Sequence, residues 1–160
     1  MGIDGLLSSS GEVLDSLLMI LFGRVMDKAG SVRSKALLHL TAILEYHPNS
    51  FTSNHCFRLI RIGSLSNGIS LSQLLLKRVT DEKSFVRKQA IILSKVIILR
   101  ELDSVNGSDN DKIELSDLSD QYLFAMASAT IDPIMSIRKL ALNMICDLVE
   151  LKSQCEKIWR

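Results

Sequence analysis

The sequence predicts an all-α protein, a solenoid of about three helical hairpins. The first sign is a pattern that recurs, D-x4-[VI]-R-x2-A. It occurs as Asp27, Val32, Arg33, Ala36, then as Asp81, Val86, Arg87, Ala90, and again as Asp132, Ile137, Arg138, Ala141. The second sign is its period. The motif aspartates lie 54 and 51 residues apart, the scale of a repeated helix-turn-helix unit. The third sign is the apolar stripe after the aspartate. Val32, Ala36, Leu37, Leu40, Ile43, Leu44 and Ile137, Ala141, Leu142, Ile145, Leu148, Val149 share the offsets 0, 4, 5, 8, 11 and 12. That spacing is one face of a 3.6-residue helix.

The motif residues carry their own physics. Asp132-Pro133 reads as an N-cap followed by proline at the first helical position, where a missing N–H costs nothing. Asp27 and Asp81 share that register, with Ser31 and Ser84 as rival caps. The second copy departs once, with Ser94 where the others have Leu40 and Ile145. The small Ala36, Ala90 and Ala141 let a neighbouring helix come close. Arg33, Arg87 and Arg138 stand near a helix N-terminus, where a cation opposes the macrodipole. A carboxylate partner offsets this. The motif aspartate of the same or the adjacent repeat is the candidate, which makes an Asp/Arg ladder between repeats the expected role of all six residues.

In chain order, residues 1–11 read as a small, polar, flexible N-terminus. It lacks the cationic start and apolar core of a signal peptide, and Leu6 stands where an acylation signal needs Ser or Thr. Residues 12–46 read as the first hairpin. Its first helix, Glu12–Met26, carries Val13, Leu14, Leu17, Leu18, Leu21, Phe22 and Val25 around more than one face, so burial on most sides is expected. Pro48-Asn49-Ser50 stops the second helix, and 47–68 reads as an insertion. Residues 69–100 form the second hairpin. The acidic stretch 101–117 is a solvated linker with Asn106-Gly107 at its centre. Residues 118–151 form the third hairpin and 152–160 a tail. The third repeat shows no polar outer face, which suits a piece of a longer array or an end that meets another protein.

Composition narrows the class. Apolar residues make up 47% of the 160-residue chain and aromatics only 5%, which suits helices packed with Leu, Ile, Val and Ala. The longest apolar run, Leu17–Phe22, is far short of the ~20 residues that span a bilayer. Cys56, Cys146 and Cys155 are scattered, which speaks against a disulfide framework and for a soluble intracellular chain.

Recognisable chemistry is scarce. His39, His47, His55 and Cys56 complete no zinc pattern, and no phosphate-cradling glycine loop occurs. The expectation is a non-enzyme with no cofactor, no metal and no small-molecule substrate. Ser108 is at most a phosphate acceptor in a polar loop. One charge asymmetry stands out. Residues 57–100 are net +7 and the next twenty are net −6. Arg58, Arg61, Lys77, Arg78, Lys83, Lys88 and Lys95 are therefore the candidate contacts to nucleic-acid phosphates. The alternative is a solvated face partly neutralised by the acidic loop.

The thrice-repeated motif resembles that of HEAT repeats, over roughly residues 12–151. Leu75-Leu-Lys-Arg-Val-Thr-Asp-Glu-Lys-Ser-Phe-Val-Arg-Lys-Gln-Ala90 looks most like the D-type non-SMC regulatory subunits of condensin II. Val25–Leu37 and Asp132–Ala141 do so as well. The resemblance implies a right-handed superhelix and a scaffold of mitotic chromosome condensation in the nucleus, on chromosomes. It implies kleisin and SMC ATPase partners, and DNA or histones as further contacts. Such subunits are far longer than this chain, so the chain looks like a fragment, and ATP hydrolysis belongs to the SMC partners. A HEAT or armadillo adaptor of nuclear transport or phosphatase scaffolding is the alternative.

Overall fold

The computed structural model describes residues 4–46, 71–104 and 122–158. All regular structure among them is helical. In order the helices are α1 (Asp4–Val25), α2 (Gly30–Tyr46), α3 (Leu71–Val79), α4 (Ser84–Ser104), α5 (residues 122–129) and α6 (Met135–Ile158). The chain forms two compact units, divided between Leu74 and Leu75, inside α3.

In the first unit, α1 and α2 pack as a hairpin. Leu18, Phe22 and Val25 of α1 and Ala36, Leu37, Leu40 and Leu44 of α2 are buried. The α2 stripe follows from the helical period of the sequence. The α1 expectation needs correction. Val13, Leu17 and Ile20 are exposed, so α1 buries one face and leaves a second apolar face open. Apolar residues on several sides identify the faces able to pack, and this structure covers only one of them.

In the second unit, α4 packs along α6. Val86, Ala90, Ile91, Leu93, Ile97 and Ile98 of α4 are buried, as are Tyr122 and Met126 of α5 and Ile137, Ala141, Met144 and Leu148 of α6. Ser94 joins this core because its hydroxyl donates to the Ala90 carbonyl at 2.8 Å. Thr41 does the same to Leu37 at 2.9 Å. Back-bonding of this kind satisfies a buried hydroxyl inside a helix.

Helix ends differ from the sequence expectation. α1 starts at Asp4 rather than Glu12, taking in much of the stretch expected to be a flexible lead. Ser8, Ser9, Ser10 and Gly11 each cost under about 1 kcal/mol in a helix, too little to stop one already propagating. α4 runs on to Ser104 and α6 to Ile158, because neither glycine nor proline interrupts residues 101–104 or 152–158. The insertion at 47–68 and its His47, His55 and Cys56 lie outside the described residues, as do 105–121 with Ser108.

Candidate functional site

The three copies of the motif build the same turn. In each, the aspartate Oδ1 accepts a hydrogen bond from the backbone N–H two residues on. Ala29 N–H donates to Asp27 at 2.9 Å, Lys83 N–H to Asp81 at 3.0 Å and Ile134 N–H to Asp132 at 2.8 Å. These are Asx turns, and they correct the N-cap assignment. The first bonds of α2, α4 and α6 run instead from Arg33, Arg87 and Arg138 N–H to the carbonyls of Ala29, Lys83 and Ile134. Each motif aspartate therefore stands two residues outside the capping position, and Pro133 stands one residue before the cap, Ile134, rather than at the first helical position. Ser84 is the first residue of α4 and Ser31 the second of α2, so neither is the cap.

The turn explains the arginine. It leaves the carbonyls of the aspartate and its successor pointing at one spot, and Nη1 of the motif arginine fills it. Arg33 Nη1 donates to Asp27 O and Lys28 O at 3.0 and 2.9 Å. Arg87 Nη1 donates to Asp81 O and Glu82 O at 2.8 and 3.3 Å, and Arg138 Nη1 to Asp132 O and Pro133 O at 2.7 and 3.0 Å. Carbonyl oxygens, five and six residues back, thus offset the helix-dipole cost of a cation at the N-terminus.

One rung of the expected ladder is seen between hairpins. Arg87 Nε and Nη2 hold Asp132 Oδ2 and Oδ1 at 2.6 and 2.9 Å, a bidentate pair 45 residues apart in sequence. Both side chains are largely buried, with 13% and 7% exposed. The guanidinium pulls the Asp132 carboxyl below the ordinary aspartate range, and the pairing raises Arg87 in return. Asp27 is lowered too, first by the Ala29 N–H bond. Further along the same helices, Lys95 Nζ meets Asp147 Oδ2 at 2.5 Å. A cleft of about 330 Å³ lies over the rung, lined by the two turns with Thr80, Asp81 and Ser128 among its walls.

Two features escaped the sequence reading. Arg24 and Arg78 stand three residues before Asp27 and Asp81 and pair with them at 3.2 and 3.0 Å. The signal was present, an arginine at the same place in two copies, with Ala129 there in the third. The Lys95–Asp147 pair spans 52 residues and had no local signature.

The basic candidates do not behave alike. Arg58 and Arg61 lie outside the described residues. Arg78 is held by Asp81 and Lys95 by Asp147. Lys83 is exposed 3.8 Å from Glu82, and Lys77 and Lys88 are exposed. Charges already matched inside the fold offer little to a phosphate, so only Lys77, Lys83 and Lys88 are left as candidate contacts among the described residues. Described residues group no three metal-ligating side chains, and none of their helices is long and apolar enough to cross a membrane. His39 and Cys146 are exposed. Comparison with protein-family models, curated proteins and solved structures found no match to the chain.

Proposed function

We propose that the chain is a non-catalytic segment of a HEAT-like solenoid, a scaffold that presents helical hairpins to protein partners. The observation that carries this is the threefold recurrence of one turn, in which aspartate closes the loop and arginine locks it. In the second unit the same arginine also grips the aspartate of the following hairpin. Six polar residues in matching register, engaged with backbone and, for Arg87 and Asp132, with each other, serve construction rather than chemistry. By its resemblance to the D-type non-SMC subunits of condensin II, the scaffold serves mitotic chromosome condensation in the nucleus. Its partners are then the kleisin and the SMC ATPases, with DNA or histones contacted through Lys77, Lys83 and Lys88.

The test is a tagged pull-down from mitotic nuclear extract, read by mass spectrometry. Recovery of SMC ATPases together with a kleisin supports the reading. Recovery of transport factors or phosphatase subunits in their place would assign the chain to an adaptor of another pathway.

A further inference from the structure

One stripe behaves differently in the three B-type helices. It starts at the motif arginine and continues four, seven and eleven residues on. In α2 it is Arg33, Leu37, Leu40 and Leu44, all buried. In α4 it is Arg87, Ile91, Ser94 and Ile98, with Ile91 and Ile98 only 0% and 3% exposed. In α6 it is Arg138, Leu142, Ile145 and Val149, and here Leu142 and Val149 are 52% and 60% exposed. The arginine at its head differs too. Arg138 bonds two carbonyls of its turn as Arg87 does, yet among the described residues no carboxylate pairs with it as Asp132 pairs with Arg87, the Asp132 charge acting on it only through space. α6 therefore presents the side of a repeat-to-repeat joint that α4 has filled.

The opposite side of that joint is open on α1. Leu17 and Tyr122 each stand ten residues before their motif aspartate. Tyr122 is fully buried, while Leu17 is 43% exposed. Ile20 and Leu74 each stand seven before theirs. Leu74 is buried and Ile20 exposed. The α1–α2 turn also holds Asp27 in the conformation of Asp132, with the same N–H bond to Oδ1. Arg24 meets one Asp27 oxygen at 3.2 Å, but a carboxylate has about four acceptor positions and takes a second donor.

We infer that the α6 face docks the α1–α2 hairpin of a second copy, with Arg138 receiving the Asp27 carboxylate and Leu142 and Val149 covered by the open face of α1. One chain thus carries both halves of a single joint, apolar against apolar and guanidinium against carboxylate. Such a contact is heterologous, so association is head to tail and rises with concentration. The inference needs only the turn and stripe geometry and does not depend on the partners proposed above.

The experiment is sedimentation velocity on the purified chain from about 5 to about 300 µM, a span suited to a contact of modest area. The weight-average mass should rise with concentration. Arg138→Ala, or Asp27→Asn, which keeps the turn's acceptor, should weaken association about tenfold through loss of a charge-assisted pair. Two blocked variants give the decisive arm, Leu142→Glu with Val149→Glu, and Val13→Glu with Ile20→Glu. All four positions are exposed, so each variant should keep the parent's circular-dichroism spectrum and melt. Each alone should be monomeric, and their mixture should form a dimer and stop there. A parent chain that stays monomeric throughout overturns the inference. So does an α1-blocked variant that still dimerises, which would mean α6 pairing with itself, or a mixture that forms no dimer.

Discussion

Removing the Arg87 guanidinium is the sharpest perturbation the structure offers. Arg87→Met keeps most of the apolar stem and deletes two bonds to Asp132, at 2.6 and 2.9 Å, and two to the Asp81 and Glu82 carbonyls. Water replaces the Glu82 carbonyl bond at little cost, since Glu82 is exposed, whereas Asp81 is buried and the loss of its carbonyl bond adds to the cost. The loss centres on Asp132, left 7% exposed with the Ile134 N–H as its remaining donor. Breaking a fully buried pair costs about 3–5 kcal/mol. The cleft over the rung lets solvent reach the carboxylate, which brings the expected cost to about 2–4 kcal/mol. At about 2–4 °C per kcal/mol for a chain of this size, the thermal midpoint should fall by roughly 5–15 °C. The assay is urea and thermal unfolding by circular dichroism, run as a double-mutant cycle with Asp132→Asn. Asparagine preserves the Asx-turn acceptor and removes the charge. A coupling of about 1–3 kcal/mol is expected for two groups in one network. A coupling below about 0.4 kcal/mol, the usual scatter of independent sites, would refute a rung that joins the hairpins.

Other consequences are briefer. The Asp132 carboxyl titrates below its ordinary value because Arg87 holds its charged form. Its contribution is therefore whole above about pH 4 and is lost as pH falls below that. The stability gap between the parent chain and Asp132→Asn should stay constant from neutral pH down to about 4 and then shrink. A gap already closing at about pH 6 would contradict a depressed carboxyl. Ala90→Leu inserts three carbons at a fully buried position and should cost about 1–3 kcal/mol by overpacking, an unchanged urea midpoint being the adverse result. Any affinity for duplex DNA should fall with Lys77→Glu and Lys88→Glu and be insensitive to Lys95→Met, whose ammonium already meets Asp147. Fluorescence anisotropy at low salt reads this directly, and equal losses from all three would restore Lys95 as a contact.

The parts of the fold legible in sequence were those governed by short-range rules. Three copies of one pattern announced the helix that follows each motif aspartate, and the 3.6-residue period named Ala36, Leu37, Leu40 and Leu44 of the buried stripe of α2, while Val32 and Ile43 of the same stripe are only half-buried. The role of Arg87 was legible as well, because a cation at a helix N-terminus needs acceptors. What the period does not say is which stripe finds a cover. The same offsets bury Leu37 and Ile91 and expose Leu142, and the difference lies in what packs against each helix. The Asx turn was misread as a cap because aspartate at either place leaves nearly the same sequence trace, and only the bond from Ile134 rather than from the first helical turn separates them. The basic stretch looked uniform as a charge count. Its division into paired and exposed members follows from Asp81 and from Asp147, the latter 52 residues away from its lysine.

In the function proposed above, these hairpins form a scaffold for a condensin kleisin and its SMC partners. Isothermal titration of the purified chain with a purified condensin kleisin tests it without intermediaries. Saturable 1:1 binding is expected, retained in Lys77→Glu and lost when Arg87→Met opens the joint between hairpins. Absence of heat, with a full-length D-type subunit binding the same kleisin in parallel, would contradict it and leave the helical repeat without the partner assigned to it.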